Sequence, residues 1–157
     1  MFIKKNLEYQ KLPLPHKVSM SDFEMMSSIE SFREYMLKRH TVRDFSKRSI
    51  DFAIIQKAIQ IAGSAPSGAN HQPWHFVAIS NQDIKKTIRD AAEIEEKKFY
   101  SGGASDEWIK ALEPIGTNAN KPHLEIAPWL IIIFAERFGT FDDGYKYKNY
   151  YVPESVG

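Results

Sequence analysis

The chain of 157 residues contains no cysteine. It can therefore form no disulfide, hold no cysteine-ligated zinc or iron–sulfur centre, and offer no thiolate nucleophile. That composition is compatible with a reducing compartment and a cytoplasmic location. An excess of one charge is also missing: 21 lysines and arginines face 20 acids, a net charge of +1. A nucleic-acid footprint usually shows as a basic excess, so we expect no nucleic-acid partner. Long hydrophobic runs are absent too. The longest, Trp129 to Ala135, falls far short of the roughly 20 residues that span a bilayer. Residues 1–20 carry charges and prolines throughout and no apolar h-region, so we read neither a signal peptide nor a membrane anchor. There is no internal repeat and no low-complexity tract. The length suits one domain with a real core.

What is present is organised around Ala62-Gly-Ser-Ala-Pro-Ser-Gly-Ala-Asn-His-Gln-Pro-Trp-His-Phe-Val77, a passage from an apolar helix into a strand. At its centre Pro66, Ser67, Gly68 and Ala69 are small residues around a proline. Such a loop lets backbone N–H groups approach a flat or anionic ligand. A tight helix-to-strand connection, with Gly68 serving a left-handed turn, would have the same composition.

Residues 1–20 read as an extended arm, with Pro13 and Pro15 favouring polyproline or turn geometry. Residues 21–157 read as the folded domain. Ser21-Asp-Phe-Glu24 fits a capping box, and Met25, Ile29, Phe32 and Met36 follow at helical spacing as a packing stripe. The helix runs out at Arg39-His-Thr-Val-Arg43, where two guanidiniums could grip a phosphate or simply form a solvated basic helix end. A second helix is expected over Ser49 to Ala62, capped by Ser49 or Asp51, with Ile54, Ala58, Ile61 and Ala65 as its buried face. Trp74 to Ser80 reads as a strand. His71 and His75 are four apart, but Pro73 between them and the strand pattern deny them a shared face, so no metal site is read.

Asn81 caps a third helix with Ile84, Ile88, Ala91 and Ala92 on one side and a charged later half. Glu96 and Tyr100 are an i, i+4 pair on one face of it. Two loose stretches, Ser101-Gly-Gly-Ala-Ser105 and Gly116-Thr-Asn-Ala-Asn-Lys-Pro122, flank a Trp108-bearing turn. A mobile lid would have this pattern, and so would an ordinary surface excursion. Pro128 to Ala135 is the strongest strand, apolar without alternation and therefore expected to be covered on both faces. Pro153 and Glu154 read as the first turn of a further helix. Two convincing strands are few for a covered sheet, so we expect the domain to be C-terminally incomplete.

Arg39-His-Thr-Val-Arg43, Ala65-Pro-Ser-Gly-Ala69 with Gln72-Pro-Trp74, and Ala127-Pro-Trp-Leu-Ile-Ile-Ile133 together resemble the FMN-dependent nitroreductase superfamily. Within it the chain is most similar to the iodotyrosine deiodinase branch, whose lid carries a glutamate, a tyrosine four residues on and a later lysine. Glu96, Tyr100 and Lys121 stand at those places, which turns the reading of residues 93–122 from surface helix to lid. His40 at the second position of the arginine motif, Ser-Gly-Gly after Tyr100, and Pro122-His123 after the lysine depart from the pattern. Tyr150-Tyr-Val-Pro-Glu-Ser-Val156 resembles the entry to the family's central helix.

The resemblance implies an α/β (α+β) fold, a nitroreductase-like three-layer sandwich in which helices flank a mixed central sheet, here represented by its N-terminal portion. It implies a homodimer with FMN sites at the interface. Arg39, His40, Thr41, Val42 and Arg43 would hold the phosphate and ribityl chain, and Pro66, Ser67 and Gly68 would line the isoalloxazine. The backbone amide of Ala69 would act catalytically by meeting the substrate's phenolate oxygen. Glu96 would take the ammonium of an amino acid, Lys121 its carboxylate, and Tyr100 a hydrogen bond to the zwitterion. The implied activity is FMN-dependent reductive dehalogenation of a halotyrosine-like phenolic amino acid, with NAD(P)H or another reductant as electron source. The alternatives are a general nitroreductase or NAD(P)H-dependent flavin oxidoreductase, and a non-catalytic fragment.

Overall fold

The protein is described from a computed structural model that covers residues 11, 13, 18–140 and 143–157. Most of the extended arm expected over residues 1–20 lies outside the described residues. The chain divides into two compact units, Met1–Val42 and Arg43–Gly157.

The first unit is built on helix α1, Asp22–Met36. Its start is the capping box read from the sequence. The Glu24 amide donates to Ser21 Oγ, and the Ser21 amide donates to the Glu24 carboxylate at 2.7 Å. The bond from the Ser21 backbone, then that from its hydroxyl, holds the Glu24 carboxyl below its ordinary value. The expected apolar stripe is present but exposed: Met25, Ile29 and Phe32 all face outward, as does Phe23.

In the second unit, Asp51 rather than Ser49 caps α2, Phe52–Gly63, accepting from the Ala53 amide at 2.7 Å. The inward side of α2 differs from the expected one. Ile54 and Ile61 are exposed, while Ile55, Ile59 and Gly63 are half-buried. The 55, 59, 63 spacing is also helical, so periodicity alone could not choose between adjacent faces. Packing against β1 selects the face: Gly63 lies beside the Trp74 and Phe76 rings, where even a Cβ would sit in ordinary van der Waals contact at 3.9 Å.

Strand β1, Trp74–Ile79, pairs antiparallel with β2, Leu130–Ala135, with Phe76 opposite Ile133 and Val77 opposite Ile132. The Glu136 amide extends the ladder to the Pro73 carbonyl at 2.9 Å. β2 is not covered on both faces as expected. Leu130 and Ile132 are half-buried, but Ile131 and Ile133 on the other face are exposed. Over residues 130–133 burial thus alternates with period two without alternation in polarity, while Phe134 is exposed. β2 is tied to α2 by Trp129, whose indole N–H donates to the Ile50 carbonyl at 2.9 Å and whose ring lies 5.5 Å from Phe52.

Helix α3, Gln82–Lys98, is capped by Asn81 as expected and passes into a π-helical turn over Phe99–Gly103. Helix α4, Asp106–Leu112, is capped by Ser105 and held by an edge-on contact between Phe99 and Trp108 at 5.0 Å. Gly102 and Gly116, on either side of α4, take left-handed φ of 121° and 63°. The four-residue helix α5, His123–Ile126, leads into β2. After it, β3, Phe138–Thr140, and β4, Lys146–Lys148, form an antiparallel hairpin. The chain then enters α6, Val152–Val156, the helix foreseen at Pro153 and Glu154. The buried Asn149 fastens this last stretch, its side-chain amide donating to the Glu136 carbonyl at 2.8 Å.

Candidate active site

The small-residue loop closes α2 and forms a 3-10 turn over Gly68–Asn70. Ala69, Asn70 and Gln72 all take positive φ, at 52°, 52° and 47°. Each such non-glycine residue costs about 1–3 kcal/mol, and strain of this kind gathers at functional sites. Local bonds hold the shape: the Gln72 amide donates to Ser67 Oγ at 2.8 Å and the Asn70 amide to the Ser67 carbonyl at 2.9 Å. The Gly68 amide reaches Ser155 Oγ in α6 at 3.2 Å, while Tyr151 packs on the face where Gly68 has no side chain. Tyr151 and Ser155 thus support the loop, and the sequence carries no signal for it. Nothing local links positions so distant in the chain.

The residues expected to form a lid are brought together. Lys121 Nζ lies 3.0 Å from the Glu96 carboxylate, with the lysine side chain 15% and the glutamate 35% exposed. The Tyr100 hydroxyl, in the π-helical turn, is 2.9 Å from Thr117 Oγ1. Each of the three expected lid residues thus bonds across the 99–122 excursion, from the α3 side to the segment that precedes α5.

Behind them runs a polar stripe of α3 that the sequence reading missed. Glu93 Oε1 accepts from Arg89 Nε at 2.7 Å and from the backbone amide of Lys121 at 2.8 Å. Arg89 also donates to Glu125 at 3.0 Å and to Asn120 at 3.1 Å. The fully buried Lys85 donates to the carbonyls of Glu125 and Ala127 at 3.0 and 2.7 Å, capping the end of α5. The Arg89 contact, then the Lys121 amide, holds the Glu93 carboxyl below its ordinary value. The signal was available: residues 85, 89, 93 and 96 recur at one face of a helix. The apolar side expected to be buried is in part the outer one, with Ile84 and Ala91 exposed.

Arg39, His40, Thr41 and Val42 form an exposed, non-helical run at the end of the first unit, and Arg43 opens the second. Neither guanidinium has a carboxylate partner among the described residues. Arg43 is close enough to act on His123. Burial first, then the positive charges of Arg43 and Lys121, hold that imidazole below its ordinary value.

Residues 36–153 match the model of the nitroreductase family. An iodotyrosine deiodinase of Haliscomenobacter hydrossis is 48% identical over 134 residues, 85% of this chain and 60% of that protein. Iodotyrosine deiodinase 1 of Homo sapiens is 35% identical over 153 residues, covering 98% of this chain and 52% of that one. The chain therefore spans between about half and three-fifths of the length of these curated relatives. Among solved structures, oxidized iodotyrosine deiodinase bound to FMN and 3-iodo-L-tyrosine superposes with a TM-score of 0.68 at 31% identity, over 79% of this chain and 61% of that one. A BluB-like flavoprotein from Clostridium difficile 630 does so with 0.51 at 27% identity, over 71% and 50%. Motif, fold and relatives agree that this chain belongs to the nitroreductase family.

Proposed function

We propose that the chain serves an FMN-dependent oxidoreductase that reductively dehalogenates a halotyrosine-like phenolic amino acid. The observation that carries this reading is the half-buried Glu96–Lys121 pair with Tyr100 one turn further along. A neutral nitroarene has no use for one fixed positive and one fixed negative group. A zwitterionic amino acid can exchange the single ion pair for two, its ammonium on Glu96 and its carboxylate on Lys121, while the Tyr100 hydroxyl turns from Thr117 to the ligand. The two left-handed glycines beside α4 support the reading of residues 93–122 as a lid. The relatives named iodotyrosine deiodinase support the same class of substrate.

The donor set fits FMN. Arg39, His40, Thr41 and Arg43 offer guanidinium forks, a ring N–H and a hydroxyl within five consecutive residues for a phosphate and ribityl chain, with Val42 between them. Pro66, Ser67 and Gly68 offer a small-side-chain surface for a flat ring. When bound, the flavin supplies the electrons. In the net reaction a carbon–halogen bond is replaced by carbon–hydrogen: two electrons and a proton enter, and halide leaves. NAD(P)H or another cytoplasmic reductant provides the electrons. The part of this chain is electrostatic. An Ala69 N–H held in a strained loop is a fixed donor that favours phenolate over phenol. The apolar side chains exposed on α1, Phe23, Ile29 and Phe32, support pairing with a second copy as a homodimer.

The test is quenching of flavin fluorescence by a halotyrosine and by the corresponding halophenol. Much tighter binding of the amino acid is expected. Equal affinity would refute the deiodinase reading and favour a general nitroreductase.

A further inference from the structure

Lys121 is gripped twice by α3. Its ammonium meets Glu96 at 3.0 Å, and its backbone amide donates to Glu93 at 2.8 Å, one turn earlier on the same helix face. Glu93 is not free to turn away. The same oxygen accepts from Arg89 at 2.7 Å, and Arg89 spends its other two nitrogens on Glu125 and Asn120, which flank Lys121 in sequence. The Asn120 amide is turned toward Asn118 Oδ1 at 2.8 Å, so the backbone on the N-terminal side of Lys121 is also fixed. Lys85 holds the other side through the carbonyls of Glu125 and Ala127. The segment 118–127 is therefore fastened by polar bonds from residues 85, 89 and 93 of one helix. These bonds are charge-assisted and for the most part partly buried, and such bonds are shorter and stronger than neutral ones.

We infer that Glu93, locked by Arg89, is a positioning residue that sets where the Lys121 ammonium stands and so tunes recognition of the substrate's carboxylate. This rests on the reading of Lys121 as the carboxylate ligand. A lysine on a free loop would lose rotamer and backbone freedom on binding, and that loss would weaken the contact. With its amide tethered, Lys121 has only its side chain left to adjust. When a ligand draws the ammonium away from Glu96, the tether to Glu93 is unaffected, because it involves a different atom. The end of the lid is thus fixed, through the segment 118–127 held on α3, while the Glu96–Lys121 and Tyr100–Thr117 bonds are its exchangeable part. Specificity for amino acids over plain phenols requires both.

The experiment compares wild type, Glu93→Ala, Glu93→Gln, Lys121→Met and the double variant Glu93→Ala/Lys121→Met, all FMN-loaded. Lys86→Ala, whose exposed partner is Asp90 on the solvent side of α3, is the control. We expect Glu93→Ala to weaken halotyrosine binding by about tenfold, a factor equal to one ordinary hydrogen-bonding contribution. Halophenol and FMN affinities should hold. Glu93→Gln, which keeps an acceptor for the amide, should restore part of the loss. The double variant should bind halotyrosine no worse than Lys121→Met alone, because Glu93 acts through Lys121. Amide hydrogen exchange gives a readout independent of ligand: residues 118–124 should exchange faster in Glu93→Ala and remain as in wild type in Lys86→Ala. Unchanged exchange overturns the tether. Additive losses, or equal losses for halophenol and halotyrosine, overturn the positioning role. Wild type failing to prefer the amino acid would instead overturn the functional reading, and exchange would still decide the tether.

Discussion

Gly68 and Tyr151 are 83 positions apart and pack so closely that a methyl group at Gly68 would fall 2.5 Å from the tyrosine Cβ. The Gly68 φ is not left-handed, so close approach and not conformational freedom makes glycine necessary here. Gly68→Ala should cost about 1–3 kcal/mol through overpacking. Denaturant melts would measure it. In a Tyr151→Gly background, which suits the left-handed φ of 56° at that position, most of the Gly68→Ala cost should vanish. An undiminished cost would show that the clash lies elsewhere.

Removing either charge of the Glu96–Lys121 pair leaves the other half-buried without that partner. Glu96→Gln and Lys121→Met should each weaken halotyrosine binding by roughly 2–5 kcal/mol and barely alter halophenol binding. Flavin fluorescence titration checks both. Matching losses for the two ligands would assign the pair to lid folding instead of recognition.

Arg39→Ala or Arg43→Ala should reduce FMN affinity by roughly 1.5–3 kcal/mol per charged hydrogen bond lost. Equilibrium titration of the apoprotein with FMN measures this. Wild-type affinity in both variants would remove the arginines from the phosphate site.

Acid stability should depend on His123. Its folded value lies below the ordinary 6.5 because burial, Arg43 and Lys121 all oppose the imidazolium. The unfolded chain therefore takes up the proton first as pH falls. The native state keeps its full advantage above 6.5, loses it as pH drops from there toward the lower folded value, and loses no more below that. Urea midpoints at about pH 7.5 and about pH 5.5 should differ less in His123→Asn than in wild type. The Glu93 carboxylate, also held low, contributes a separate loss at more acidic pH.

The sequence by itself determined the features whose causes are local. Ser21, Asp51, Asn81 and Ser105 cap helices because a short polar side chain bonds the amide two or three residues on. The family motifs were legible for the same reason: Arg39 to Arg43 and Pro66 to Ala69 are contiguous. The meeting of Glu96 with Lys121 could be anticipated only through the resemblance. Tertiary structure alone decided the rest. It turned Ile55 and Ile59 inward in place of Ile54 and Ile61, because neighbouring helix faces are equally periodic and the partner surface selects one. It set Tyr151 against Gly68 and tied the Lys121 amide to Glu93. Both depend on pairing between residues far apart in the chain, and no propensity or spacing within a single element encodes such pairing.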